Sequence, residues 1–282
     1  MVARRAGFTL IETIIALLLS SLVVILVSGT FVVQSQYYSS QKLLVGVHDN
    51  ARVATERIAA EIRSTMQDGF VVAGRRTLTI RSPIVLGVIC NRQGTQQGDI
   101  HTEGGETAFN GADVAGIAVR DAGTGVWDYQ TATWSYIDDN NAAAAADCAA
   151  NGADTSWATS EFHRVQQLGN LFTPAPIEGD VIMLFRETTF RIQASVLDTM
   201  TLGLFRQVAG GTAVEFATGM DTTAQFQYRT GAATYADTVT SGAIGNIDAV
   251  RIVADARLPA RSGVLEDITF GWAVNVTVKN LP

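Results

Sequence analysis

From Thr13 to Val33 the chain runs 21 residues without a charge. As an α-helix that run rises about 31 Å, close to the ~30 Å hydrocarbon core of a bilayer. The segment can therefore span a membrane. The leader Met1–Gly7 carries Arg4 and Arg5 and no acid. The bias of basic residues toward the cytoplasmic side puts the N-terminus inside and the C-terminal bulk outside. An ordinary secretory signal fits badly, because its apolar region is about 7–15 residues long and ends in a small-x-small cleavage site. A plain signal anchor fits the run better but leaves Glu12, at its very start, unexplained. Ionisable groups in membrane segments are costly and usually functional.

The stretch Gly7-Phe8-Thr9-Leu10-Ile11-Glu12, with basic residues before it and an apolar helix after it, resembles the type III signal of type IV pilins and pseudopilins. The resemblance implies cleavage by the prepilin peptidase between Gly7 and Phe8, N-methylation of Phe8 and use of Glu12 in assembly. Physical chemistry supports that use. After cleavage the cytoplasmic arginines are gone, Phe8 carries a cationic amine, and Glu12 lies one helical turn further along. A carboxylate in a low-dielectric setting seeks a cation, here the amine of the same or a neighbouring subunit. A second reading stays open at this point, in which the carboxylate rests at headgroup level, where charge costs much less.

Beyond Val33, residues Leu44, Val47, Ala51, Ala54, Ile58 and Ile62 recur three and four apart, which predicts a one-sided apolar stripe. Arg52 with Glu56 and Arg57 with Glu61 stand at i,i+4. No proline occurs before Pro83, so one helix can run from the membrane to about Met66, roughly 90 Å at 1.5 Å per residue. Such a helix resembles the spine of a pilin. Gly29 stands near where many major pilins carry a proline, which fits a specialised subunit. Gly29 and Gly46 are candidate flexible points. His48 reads as polar helix surface with no assigned role.

From Phe70 the period changes to two. Leu78–Arg81, Phe190–Val196, Val250–Arg257 and Trp272–Lys279 alternate apolar and polar residues, and Val181–Phe185 is a continuous apolar run. These predict an antiparallel β head of roughly eight to twelve strands, Val181–Phe185 among the central ones. Glycine-rich Asn91–Asp113 and Ala/Asn/Asp-rich Asp138–Thr159 read as surface insertions. The expected organisation is a leader over 1–7, a membrane and assembly helix over 8–33, an amphipathic helix packing on the head over 34–66, and a head over 67–282. The expected fold class is α+β and pilin-like.

The two cysteines, Cys90 and Cys148, sit in no metal-binding spacing. In an exported domain a disulfide is the default; two separate buried thiols are the alternative. A formal charge of −7, with Lys42 and Lys279 the only lysines among 20 basic residues, disfavours nucleic acid as a partner, and Arg75–Arg76 reads as solvated surface. No phosphate loop, GxSxG or paired-histidine motif occurs, and His48, His101 and His163 are far apart. Acid pairs such as Asp138 with Asp139, or Glu103 with Glu106, lack an EF-hand arrangement, and the sequon Asn275-Val276-Thr277 falls in a predicted strand. No catalytic activity, metal or cofactor is expected.

Stretches of the head add a looser resemblance. VEFATGMDTTAQFQYR followed by NIDAVRIVADARL, and the ending VNVTVKNLP, are similar to late strands of PilW-type minor pilins and of J-type pseudopilins of type II secretion. The resemblance implies a single-pass inner-membrane subunit with a periplasmic head, a substrate of the prepilin peptidase. Its partners would be other minor and major pilins, or pseudopilins, together with the assembly machinery and the lipid bilayer. Three readings remain: a PilW-like minor pilin, a J-like pseudopilin, and a membrane-anchored binding or adhesive domain. The third would use exposed aromatics among Trp127, Tyr129, Trp134 and Tyr136, whose spacing also fits strand core.

Overall fold

The structure, a computed structural model, describes residues 9–278 except 67, 94–96, 103–113, 122, 132–134, 138–140, 155, 167–171, 173–174, 232 and 259–267. Gly7 and Phe8, the expected cleavage point, lie outside the described residues, as do Glu103, Glu106, Asp138, Asp139, Trp134 and Lys279. One helix, α1 (Leu10–Ser64), is continuous over 55 residues, as the absence of proline allows. Gly29 and Gly46 do not interrupt it, and a Cβ at either would meet nothing within 4 Å. Neither glycine is demanded by packing within the chain.

The head holds fifteen strands among the described residues, more than the eight to twelve expected. The surplus comes from the supposed insertions and from short edge strands. Every pairing is antiparallel. The spine of the larger sheet is β2 (Thr77–Gln93) against β8 (Val181–Ala194). On one side β8 is followed by β9 (Leu202–Val208), β10 (Val214–Met220), β13 (Ala256–Leu258) and β14 (Ile268–Phe270). On the other, β2 is followed by β3 (Gln97–Thr102), β7 (Phe162–Gln166) and β6 (Ser135–Ile137). Strand β1 (Phe70–Gly74) pairs with β2, while β4 (Gly116–Arg120) joins β8 to β5 (Trp127–Gln130). A smaller sheet runs β11 (Gln225–Arg229), β12 (Ala249–Val253), β15 (Ala273–Thr277). The apolar run Val181–Phe185 opens β8, a central strand as expected. Pro83 sits inside β2 at a register irregularity between Pro83 and Val85, the kind of site where a strand tolerates a missing N–H.

The main core lies where α1 meets both sheets. Ala54, Ile58, Ala59 and Ile62 pack with Leu78, Ile80, Phe190 and Leu204 of the large sheet and with Phe226, Val250, Ile252 and Val276 of the small one. A second core of Ile89, Ile100, Ile117, Val165, Ile182 and Leu184 lies further along the large sheet.

Four expectations need correction. Asn91–Asp113 is not simply a surface insertion: β2 continues to Gln93 and turns into β3, with Asp99 and Ile100 buried. Asp138–Thr159 contains a helix, α2 (Asn141–Ala150), with Ala144 and Cys148 buried. The alternation Val250–Arg257 is two strands in different sheets, β12 and β13. They part at Asp255, whose carboxylate accepts the Trp272 N–H (3.2 Å) and the Thr223 hydroxyl (2.9 Å) and so fixes the corner. The alternation Phe190–Val196 ends at Ala194, because Ser195 Oγ accepts the N–H groups of Leu197 and Asp198 and turns the chain.

Cys90 and Cys148 form a disulfide with Cα atoms 5.1 Å apart, closing a separation of 58 residues and tying α2 to β2. Replacing both with Ser should cost about 2–4 kcal/mol of head stability. It should also make Asn141–Ala150 an early site of limited proteolysis; unchanged protease resistance would mean that packing alone holds α2.

Candidate functional site

The outer half of α1 is the feature that the head's own packing does not explain. It is exposed from Leu10 to Ser39, about 45 Å of helix. Among the described residues it is the one helix long and apolar enough to cross a membrane. So much contiguous apolar surface requires lipid or other apolar helices around it. Its hydroxyls fit that setting. Those of Thr13, Ser20, Ser21 and Thr30 reach helix carbonyls at 2.7–2.9 Å, turning their donors back into the helix. Tyr37 and Tyr38 are exposed one turn past Val33, where amphipathic rings favour the headgroup layer.

Glu12 is the one acid in the first turn, its N–H donating to Thr9 O at 3.1 Å. The partial positive charge of a helix N-terminus favours a carboxylate there. Thr9 makes no side-chain cap bond. Glu12 is exposed on the helix surface, so its carboxylate is presented outward rather than folded into the chain.

The inner half of α1 is seated on the head by the expected stripe: Leu44 and Val47 are half-buried, and Ala51, Ala54, Ile58 and Ile62 are buried. Pattern reading missed two members, Thr55 and Ala59, both buried. The Thr55 hydroxyl lies 2.9 Å from Ala51 O and receives the Trp272 Nε1–H at 3.0 Å, pinning β15 to the helix. His48 is not idle surface, since its ring meets Trp272 edge-on at 5.0 Å. Arg52–Glu56 forms at 2.9 Å. Glu61 does not pair with Arg57 as expected; it takes Arg206 of β9 at 2.9 Å and so ties helix to sheet. Trp272→Phe should destabilise the head by about 1 kcal/mol, the net worth of one hydrogen bond, read as a lower urea midpoint. An unchanged midpoint would show that the ring's packing carries the contact alone.

The aromatic candidates are core where they are described. Trp127 is buried, and Tyr129 packs on Phe185 at 5.2 Å beneath the Arg81 guanidinium, 4.9 Å from the Tyr129 centroid. Burial pushes the Tyr129 hydroxyl well above its ordinary pKa. The side chain of Tyr136 lies outside the described residues. Arg75 and Arg76 are exposed, as expected, yet each braces a turn: Arg75 Nε donates to Gln225 at 2.6 Å and Arg76 to Thr222 O at 3.0 Å. Among the described residues no group of three or more His, Cys, Asp and Glu side chains is placed to hold a metal.

The head therefore carries a helix built to leave it, with a lone carboxylate at the leaving end. Residues 2–28 match the family described as the prokaryotic N-terminal methylation motif. The matched residues include the expected cleavage point at Gly7–Phe8, Glu12 and most of the exposed apolar run. It points to the type IV pilins and pseudopilins, and it implies processing by the prepilin peptidase and assembly of the pilin kind. The motif and the exposed helix are consistent with an inner-membrane anchor. No curated protein and no solved structure matches the chain.

Proposed function

We propose that this chain is a minor pilin of a type IV pilus, PilW-like, held in the cytoplasmic membrane by α1 with its head outside. After the leader is removed it enters or primes a filament. It does no chemistry of its own. The observation that carries the reading is the join of the methylation motif to a helix exposed over about 45 Å. Leader removal and N-methylation matter only if the new terminus meets something, and a helix left bare by its own head supplies the surface for that meeting.

Two measurements test it. Mass spectrometry of the mature protein should find N-methyl-Phe8 at its start; an intact Met1 start in wild-type cells would remove the pilin reading. Crosslinking pull-down from membranes should recover pilus subunits; recovery of type II secretion components instead would turn the assignment to a pseudopilin.

A further inference from the structure

At the turn between β8 and β9 the chain displays Val196 and Leu197 at 76% exposure each and Met200 at 53%. So much apolar surface on one turn marks a contact with something other than water. The backbone beneath it is already satisfied. The Glu215 carboxylate accepts the N–H groups of Val196 (2.9 Å) and Leu197 (3.3 Å), and Ser195 Oγ accepts that of Asp198 at 2.9 Å. Asp198, the acid of the turn, is directed at the turn's own backbone. Its Oδ1 accepts the Met200 N–H at 3.2 Å and its carbonyl the Thr201 N–H at 3.1 Å. Glu215 can reach the turn only because position 203 is glycine: a Cβ there would collide with its carboxylate. Donors are thus kept within the turn while apolar side chains point out. That arrangement suits a medium that offers no hydrogen bonds, as lipid chains are and water is not.

The turn also stands at the end of the head nearest the exposed apolar half of α1. Arg206 of β9 pairs with Glu61 at 2.9 Å. At the start of β9, the Thr201 hydroxyl accepts the Gly219 N–H at 3.3 Å, and a Cβ on Gly219 would lie 3.2 Å from Val47 Cγ1. Glu61 and Val47 are about 21 Å apart along the helix, and Arg206 and Thr201 about 17 Å apart along the strand. Strand and helix therefore run side by side, and the turn, which precedes Thr201, continues past Val47 toward the apolar run. Its few residues out and back add about 8 Å, which brings its tip to the level of Gln41 and Lys42. Tyr37 and Tyr38, both exposed, lie one helical turn further. Val33 closes the apolar run, and the headgroup layer extends about 5–7 Å beyond the hydrocarbon, to the same tyrosines. Lys42 is exposed and is the only Lys or Arg between Leu10 and Asn50, a charge suited to lipid phosphates.

We propose that the β8–β9 turn dips into the headgroup layer of the membrane that holds α1, with Val196, Leu197 and Met200 against lipid and Lys42 at the phosphates. This rests on the reading of α1 as a membrane anchor, whichever filament the subunit serves. The chain's two cysteines are joined to each other, so one introduced thiol takes one label. Full-length chains carrying Leu197→Cys, Val33→Cys or Thr212→Cys, each bearing an environment-sensitive fluorophore, are reconstituted in vesicles of phosphatidylethanolamine and phosphatidylglycerol. Thr212 is exposed in the turn at the opposite end of β9. The labels at positions 197 and 33 should be quenched by nitroxide-bearing lipid and spared by aqueous iodide, and the label at position 212 should do the reverse. Leu197→Asp, read from a label on Val196→Cys, should lower the ratio of lipid-quenched to iodide-quenched label about ten-fold, the worth of burying one leucine side chain. A label at position 197 as open to iodide as that at 212, with position 33 still in lipid, overturns the docking alone. A label at 197 reached by neither quencher means that protein covers the turn, and overturns the docking as well. A label at position 33 open to iodide removes the anchor reading and the docking with it.

Discussion

Glu12→Ala subunits should lose their leader as the parent does, accumulate in the membrane at parental level, and be missing from sheared filaments. The expected cut, between Gly7 and Phe8, comes before the residue is reached, so the peptidase's bond is unaltered. The change is felt afterwards. Once Arg4 and Arg5 are gone, the new amine of Phe8 is a cation at the mouth of an apolar helix, and from Glu12 to Gln41 that helix offers no other charge. In an assembly that buries the helix, an amine without a carboxylate is left uncompensated. Removing one partner of a buried pair costs about 3–5 kcal/mol, roughly two to four orders of magnitude in an association constant. Glu12→Gln should fail nearly as badly, because it keeps the shape and a hydrogen bond but not the charge. Filaments that contain the Ala variant at parental level would mean that the carboxylate sits in the headgroup layer and has no assembly role.

What could be read in advance divides by distance along the chain. The helix stripe and most of the alternating strands are local patterns with periods of 3.6 or two, and they survive in the structure. The helix α2 was also legible, since Ala142–Ala146 is a run of the strongest helix former, but Asn and Asp on either side made it look like a loop. Contacts between distant residues were not legible. Trp272 and Thr55 are 217 positions apart, and Glu61 prefers Arg206 to Arg57 because the sheet brings a guanidinium to the helix side where the main core forms. Asp99 is the clearest case. In Asn91–Asp113, read as an insertion because it is glycine-rich and polar, Asp99 looks like one more surface acid. The residue that makes its burial tolerable lies 65 positions further on.

That residue carries the second large effect: Arg164→Ala should cost the head about 3–5 kcal/mol, out of a total that for a domain is about 5–15 kcal/mol. Asp99 is fully buried and the Arg164 side chain is 9% exposed. Two parallel bonds join them, Nε to Oδ1 at 2.6 Å and Nη2 to Oδ2 at 3.0 Å, the fork geometry that only arginine supplies. The hydrogen bond to Asp99 is the main reason the guanidinium holds its proton even more firmly than usual. Arg164 Nη2 also reaches Asp147 of α2 at 2.6 Å, and Asn91 Nδ2 completes Asp99 at 2.8 Å. One cation thus joins β3, β7 and α2 beside the disulfide. Truncating it strands the Asp99 charge in the core, whereas replacing Asp99 and Arg164 together by Leu removes the charge as well as its partner. The double variant should recover most of the loss despite removing more hydrogen bonds, as urea unfolding of the detergent-solubilised full chain would register. If Arg164→Ala shifts stability by less than about 1 kcal/mol, water must reach Asp99 in the variant. Because the disulfide holds the same helix, the loss should shrink after reduction of Cys90–Cys148, when α2 can swing away and let water reach the stranded carboxylate.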